Sequence, residues 1–80
     1  MPADTTQLVT YLVQALVDDP EHISIVEKRT GLDVLYEVTV ASDEVGKLIG
    51  RQGRIIKAIR TIARAAGSTA EAHVDVEIIG

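Results

Sequence analysis

Gly50 and Gly53 stand three residues apart in a stretch whose apolar residues otherwise recur at helical spacing, and they decide what that stretch can become. A glycine costs a helix interior about 1 kcal/mol relative to alanine. Two of them around Arg51 and Gln52 break the run into two helices joined by a tight turn. The helix before the turn is short, because Gly46 and Gly50 leave it about two turns. Ser42 is expected to cap it, with Asp43 and Glu44 well placed in its first turn. The helix after the turn is longer, running from Gly53 to about Ala66 and closed by Gly67. Its Ile55, Ile56, Ile59, Ile62 and Ala63 form the stripe that should be buried.

The remaining chain supplies one more helix and three strands. Asp4 is placed to cap a first helix and Gln7 to complete a capping box, while Leu8, Val9, Leu12, Val13 and Leu16 share one face. Asp18, Asp19 and Pro20 end that helix. Residues 23–29 and 33–41 read as strands around a turn at Thr30 and Gly31. In the second of them Val34, Tyr36, Val38 and Val40 alternate with Leu35, Glu37 and Thr39, so one face is apolar. Residues 73–79 alternate again, with Val74, Val76 and Ile78 on one side. The order α-β-β-α-α-β predicts an α+β domain of two layers, three strands covered by three amphipathic helices. Residues 1–80 have room for one core and no second.

Composition removes several functions. The chain has no cysteine, so it has neither a disulfide framework nor thiolate metal ligands. Its polar, acidic N-terminus is no targeting segment, and no apolar run approaches the ~20 residues of a membrane span. The chain is therefore expected to be soluble and cytoplasmic, with no membrane partner. His22 and His73 have no carboxylate pair near them in sequence, and no nucleophile–base arrangement or ligand set is visible. We expect no enzymatic activity, no cofactor, no metal and no small-molecule substrate.

Charge is what remains to be explained. Residues 45–70 hold six basic side chains and no acidic one, a local +6, whereas the rest holds two basic and twelve acidic, −10, for a whole of −4. Charges interact over ~8 Å at physiological salt, so an anion senses the local cluster more than the total. Arg54, Lys57, Thr61 and Arg64 fall on the helix face opposite the apolar stripe. Gly50-Arg51-Gln52-Gly53 thus forms a positive turn at a helix N-terminus, whose free amides favour phosphate. Gly50 is expected to end the short helix in a left-handed conformation, and Gly53 to admit a close backbone approach. A phosphate-binding loop would need Ser or Thr after Gly46-Lys47, where Leu48 stands, and the spacing G-x-x-x-G-x-x-G is not the dinucleotide fingerprint. The turn is suited to gripping a sugar-phosphate backbone.

The run Val45-Gly46-Lys47-Leu48-Ile49-Gly50-Arg51-Gln52-Gly53-Arg54-Ile55-Ile56 resembles the core of a KH domain, with its G-x-x-G loop between two helices. The element order resembles the type II KH fold along the whole chain, which implies a three-stranded mixed sheet. The chain is similar to small bacterial proteins made of one such domain, the KhpA type. That resemblance implies cytoplasmic binding of single-stranded RNA and a role as RNA chaperone or post-transcriptional regulator, linked to cell-wall synthesis and cell shape. It also implies a homodimer, or a heterodimer with a larger multidomain KH protein of the KhpB type. By motif position Gly50, Arg51, Gln52 and Gly53 would hold phosphates, Ile49 and Ile56 would offer an aliphatic floor to the bases, and Lys47, Arg54 and Lys57 would add attraction. Lys28 and Arg29 precede the turn that corresponds to the variable loop and are expected to touch the nucleic acid as well.

Competing readings are plain. Arg64 is expected only to solvate its helix, Arg60 to lie along the apolar stripe, and Tyr36 to belong to the core. The alternative function is a protein-interaction module, for dimerisation or docking, with only weak nucleic-acid binding.

Overall fold

A computed structural model describes residues 5–69 and 71–79. Helix α1 (Thr5–Leu16) leads through a single 3₁₀ turn (Pro20–His22) to strands β1 (Ser24–Thr30) and β2 (Asp33–Thr39). A second 3₁₀ turn (Ser42–Glu44), helix α2 (Val45–Ile49), a third 3₁₀ turn (Arg51–Gly53), helix α3 (Arg54–Ser68) and strand β3 (His73–Ile79) complete the chain. The sheet order is β1-β2-β3. β1 runs antiparallel to β2 through the turn at Gly31, whereas β2 and β3 are parallel, Val34 beside Val74 and Val38 beside Ile78. A parallel pair needs a long crossover, and α2 and α3 supply it.

The alternation seen in the sequence sets the layers. Val34, Tyr36 and Val38 of β2, with Val74 and Val76 of β3, are buried under the helices. They meet Val9 and Val13 of α1, Leu48 of α2, and Ile56, Ile59 and Ala63 of α3 in one core. Their strand neighbours Leu35, Glu37, Asp75 and Glu77 face the opposite, helix-free side. Tyr36 is a core residue with a wet tip: its hydroxyl donates to Glu27 Oε1 (3.2 Å) and lies 3.0 Å from Thr6 Oγ1, joining α1 to both antiparallel strands. Thr6 Oγ1 donates to Glu27 Oε1 as well (3.1 Å), and this bond foremost holds the Glu27 carboxyl below its ordinary value.

Several local expectations are corrected. The Asp4 cap lies outside the described residues. Val17 takes the core place expected of Leu16, which is exposed. Ser42 caps nothing: it opens a 3₁₀ turn closed by Glu44 N–H on Ala41 O (2.8 Å), and this turn swings Glu44 inward. Ile62 is 44% exposed, because the buried stripe of α3 centres on Ile56, Ile59, Ala63 and Gly67 and Ile62 stands about 100° round from Ala63. Gly67 lies inside α3, not past its end, and is buried because a Cβ there would strike the Val74 side chain. The chain reverses four residues later, where Glu71 has φ +60° and Ala72 N–H bonds to Gly67 O (3.0 Å). The strand bounds differ by a residue or two, except in β3, which spans the expected residues.

Candidate nucleic-acid interface

The turn between α2 and α3 is built from three residues with positive φ. Gly50 ends α2 at φ +74°, ψ 177°, with its N–H on Gly46 O (2.9 Å). Gln52 follows at φ +56° and Gly53 at φ +72°. Gly53, not Gly50 as expected, is left-handed, a conformation that costs an ordinary side chain about 1–2 kcal/mol. Gly50 with ψ 177° lies in a region that only glycine populates, so the two glycines remove strain from a turn that retains it at Gln52. Space, however, constrains only one of them. A Cβ on Gly50 would sit 2.5 Å from Ile55 Cγ1, whereas one on Gly53 would meet Ile56 Cγ2 at an ordinary 3.8 Å. The tight contact within the turn is therefore at Gly50, with the Ile55 side chain packed over it.

Backbone bonds pin the turn from within. Gly53 N–H reaches Gly50 O (3.2 Å) and Arg54 N–H reaches Arg51 O, while the amides of Arg51 and Gln52 take no part in these closing bonds. The amides of Gly53 and Arg54 are thus engaged by the turn itself. Arg51, Gln52, Arg54 and Lys57 are exposed around it, and Ile49 and Ile55 are half-buried beside it. Ile56 is not part of that surface: at 6% exposure it belongs to the core.

Carboxylate pairing divides the eight Lys and Arg residues. Lys28 pairs with Glu37 (2.9 Å) and Arg29 with Glu27 (3.3 Å). Lys47 pairs with Asp18 and with Glu44 (3.3 Å), and the Asp18 bond chiefly raises its ammonium pKa above the ordinary lysine value. Arg60 and Arg64 both reach Asp75 Oδ1 (3.4 and 3.3 Å). Arg51, Arg54 and Lys57 alone form no ion pair with another described residue. Among the described residues, the cations without a carboxylate partner are thus the three that flank the turn.

Lys28 and Arg29 are not brought to the turn. Arg29 pairs in register with Val34, and Val34 with Val74, whose side chain touches the Gly67 position in the last turns of α3. The glycine turn lies at the other end of α3, and thirteen residues at 1.5 Å each separate the two ends by about 20 Å. Direction of travel along β2, β3 and α3 decides this. A hollow of about 640 Å³ lies at the far end, among Lys28, Thr30, Asp33, Leu35, Arg64 and His73, and is equally remote from the turn. Its cations Lys28 and Arg64 face Glu37 and Asp75, and Asp33 lines it too, so it has no surplus of positive charge.

Arg60 reaches from α3 to the sheet edge. It lies along the domain, its Nε donating to Val76 O (2.9 Å) on the outer edge of β3, while Asp75 Oδ1 accepts the Val76 N–H (2.9 Å). This occupies the middle of an edge that would otherwise invite another strand. The residue that sequence reasoning missed is Glu44, a carboxylate 5% exposed. Nothing in its neighbourhood marks it, since Asp43 and Glu44 read alike as first-turn acids.

A three-stranded mixed sheet under three helices, with a G-x-x-G turn between the second and third, defines a KH domain. The family model described as "KhpA/KhpB, KH domain" matches residues 6–78. The RNA-binding protein KhpA of Listeria monocytogenes serovar 1/2a is 40% identical over 73 residues, covering 91% of this chain and 96% of that protein. Those of Chlamydia trachomatis serovar D and Caldanaerobacter subterraneus subsp. tengcongensis are 40% and 41% identical over 73 residues, with 94% and 97% of their lengths covered and again 91% of this chain. No solved structure matches the chain. The chain belongs to the KhpA/KhpB KH-domain family.

Proposed function

We propose that this protein binds single-stranded RNA through the turn Gly50-Arg51-Gln52-Gly53, without chemistry of its own. The observation that carries the reading is the set of unpaired cations, Arg51, Arg54 and Lys57, around amides that the turn's own bonds leave out. Relatives named as RNA-binding proteins support the ligand class. Phosphates would lie against the turn, with bases toward Ile49 and the half-buried Ile55. The scarcity of aromatic rings favours an aliphatic groove over a stacking platform. Action in the cytoplasm as an RNA chaperone or regulator connected to cell shape and cell-wall synthesis belongs to this proposal and rests on the family resemblance. So does self-association or pairing with a larger KhpB-type protein, for which the exposed Tyr11 and Ile62 offer apolar surface. Fluorescence anisotropy with a labelled single-stranded oligoribonucleotide tests the core of it. Arg51→Asp with Gln52→Asp should abolish binding while helicity persists; a wild type that binds nothing at low salt would overturn the reading.

A further inference from the structure

Glu44 is a buried carboxylate one residue before α2 and has no part in the charge cluster around the glycine turn. Burying a carboxylate is costly unless it is paired and hydrogen-bonded, so its partners identify what it holds. Its Oε1 accepts the Asp18 N–H (2.6 Å) and its Oε2 the Asp19 N–H (3.3 Å). Both amides lie just past α1, whose last backbone bond is Val17 N–H to Val13 O. The fourth member is Lys47, one turn along α2, whose ammonium bridges Glu44 and Asp18. Two carboxylates and a helix C-terminus, all negative, thus meet at this junction, and Lys47 is the cation placed among them.

α2 has five residues, too few to hold itself as a helix. Its position comes from Leu48 in the core and from this junction. Gly50 begins where α2 ends, so whatever aims α2 also aims the amides of Arg51 and Gln52. We propose that Glu44 is a positioning residue for the glycine turn, and that Lys47 is its partner in that task rather than a phosphate contact. The RNA side of this inference rests on the reading given above; the positioning of the turn does not. Lys47 spans from the α2 side to α1, and its charge is spent there.

Glu44→Gln, Lys47→Met and the double variant separate the possibilities, measured by backbone amide shifts and by oligoribonucleotide affinity across a salt series. Each single variant should shift the amides of residues 50–54 and leave those of the β1–β2 turn in place. Affinity should fall roughly tenfold, the worth of one charged hydrogen bond, with the slope of log affinity against log salt unchanged. Adding Glu44→Gln to Lys47→Met removes one of the carboxylates left uncompensated, and should restore part of the lost affinity. A Lys47→Met variant whose salt slope falls by about 0.7, with amides 50–54 unmoved, would make Lys47 a phosphate contact and sink the proposal. So would a Glu44→Gln variant that melts earlier yet leaves those amides and the affinity unchanged. If the wild type binds no RNA, the ligand reading fails and the amide shifts alone decide the positioning role.

Discussion

Replacing Gly50 by alanine should damage this protein far more than replacing Gly53, although the motif treats the two alike. Both have positive φ, so both substitutions incur conformational strain. At Gly53 (φ +72°, ψ 20°) this is the left-handed helical region, about 1–2 kcal/mol for alanine. At Gly50 (φ +74°, ψ 177°) the region is one that only glycine populates, about 1–3 kcal/mol. The two then part company on space. The new methyl at position 50 would lie 2.5 Å from Ile55 Cγ1 and 3.0 Å from Ile55 Cβ. The first atom can swing aside, but the second is fixed to the backbone of α3, so the helix itself must shift. Overpacking of that kind costs another 1–3 kcal/mol or so. The total is about 2–6 kcal/mol for Gly50→Ala, against a stability of roughly 4–12 kcal/mol for a domain of this size. At about 4–8 °C per kcal/mol, Gly50→Ala should lower the melting temperature by on the order of 10 °C or more, and Gly53→Ala by several degrees. Thermal and urea unfolding followed by circular dichroism would measure both. Adding Ile55→Ala to Gly50→Ala removes Cγ1 and Cδ1 and should be less than additive. Equal losses for the two glycines, or full additivity with Ile55→Ala, would refute the steric half of the argument.

Other consequences are open to measurement. Gly67→Ala gains helix propensity yet should lose about 1–3 kcal/mol in urea melts, because the added methyl meets Val74; a neutral result would show that α3 and β3 are less tightly packed there. Tyr36→Phe keeps the buried ring and loses its hydroxyl's bonds to Glu27 and Thr6, a loss of about 1 kcal/mol by the same assay. Because the folded state holds the Glu27 carboxyl below its ordinary value, Glu27 contributes stability above the ordinary glutamate value of about 4.3 and loses it as pH falls through the lower folded value. Glu27→Gln should flatten the acid limb of a stability–pH profile, and an unchanged limb would remove Glu27 from the account. On the proposed RNA reading, three free cations imply a slope of log affinity against log salt of about −2, and a slope near −4 would mean that paired cations also take part.

How much of this could be read from the chain depends on whether the deciding interaction is local. The alternation of Val34, Tyr36 and Val38, the bounds of β3 and the break at Gly50 and Gly53 follow from neighbours in sequence, and the structure has them as expected. The outward face of Arg54, Lys57 and Arg64 follows from helical periodicity in the same way. Gly67 was misread for a reason intrinsic to glycine, since a helix end and a close helix–strand contact both select it. Lys28 and Arg29 stand where basic residues suit a binding groove, but which end of the sheet they occupy depends on the direction of α3 over β3. Glu44 is the plainest case of a tertiary secret. Its burial is bought by amides twenty-five or more residues away, which no local pattern announces.

The pairing of charges also resolves the contrast between a total of −4 and a cationic turn. Five of the eight cations are neutralised inside the molecule, so they add little to the field that an approaching anion meets. Among the described residues three remain, Arg51, Arg54 and Lys57, spaced three residues apart from the turn into α3. On the helix-free side of the sheet the register sets Glu37 beside Glu77 and Leu35 beside Asp75, with Asp33 beside His73 at the strand ends. Lys28 offsets Glu37 there, and Asp75 meets Arg60 and Arg64, so the sheet has no cationic surplus to offer a phosphate. With screening over about 8 Å, an approaching polyanion senses the nearest charges rather than the total. On the proposed RNA reading, the unpaired cations beside the glycine turn are therefore the stronger attraction for a nucleic-acid strand.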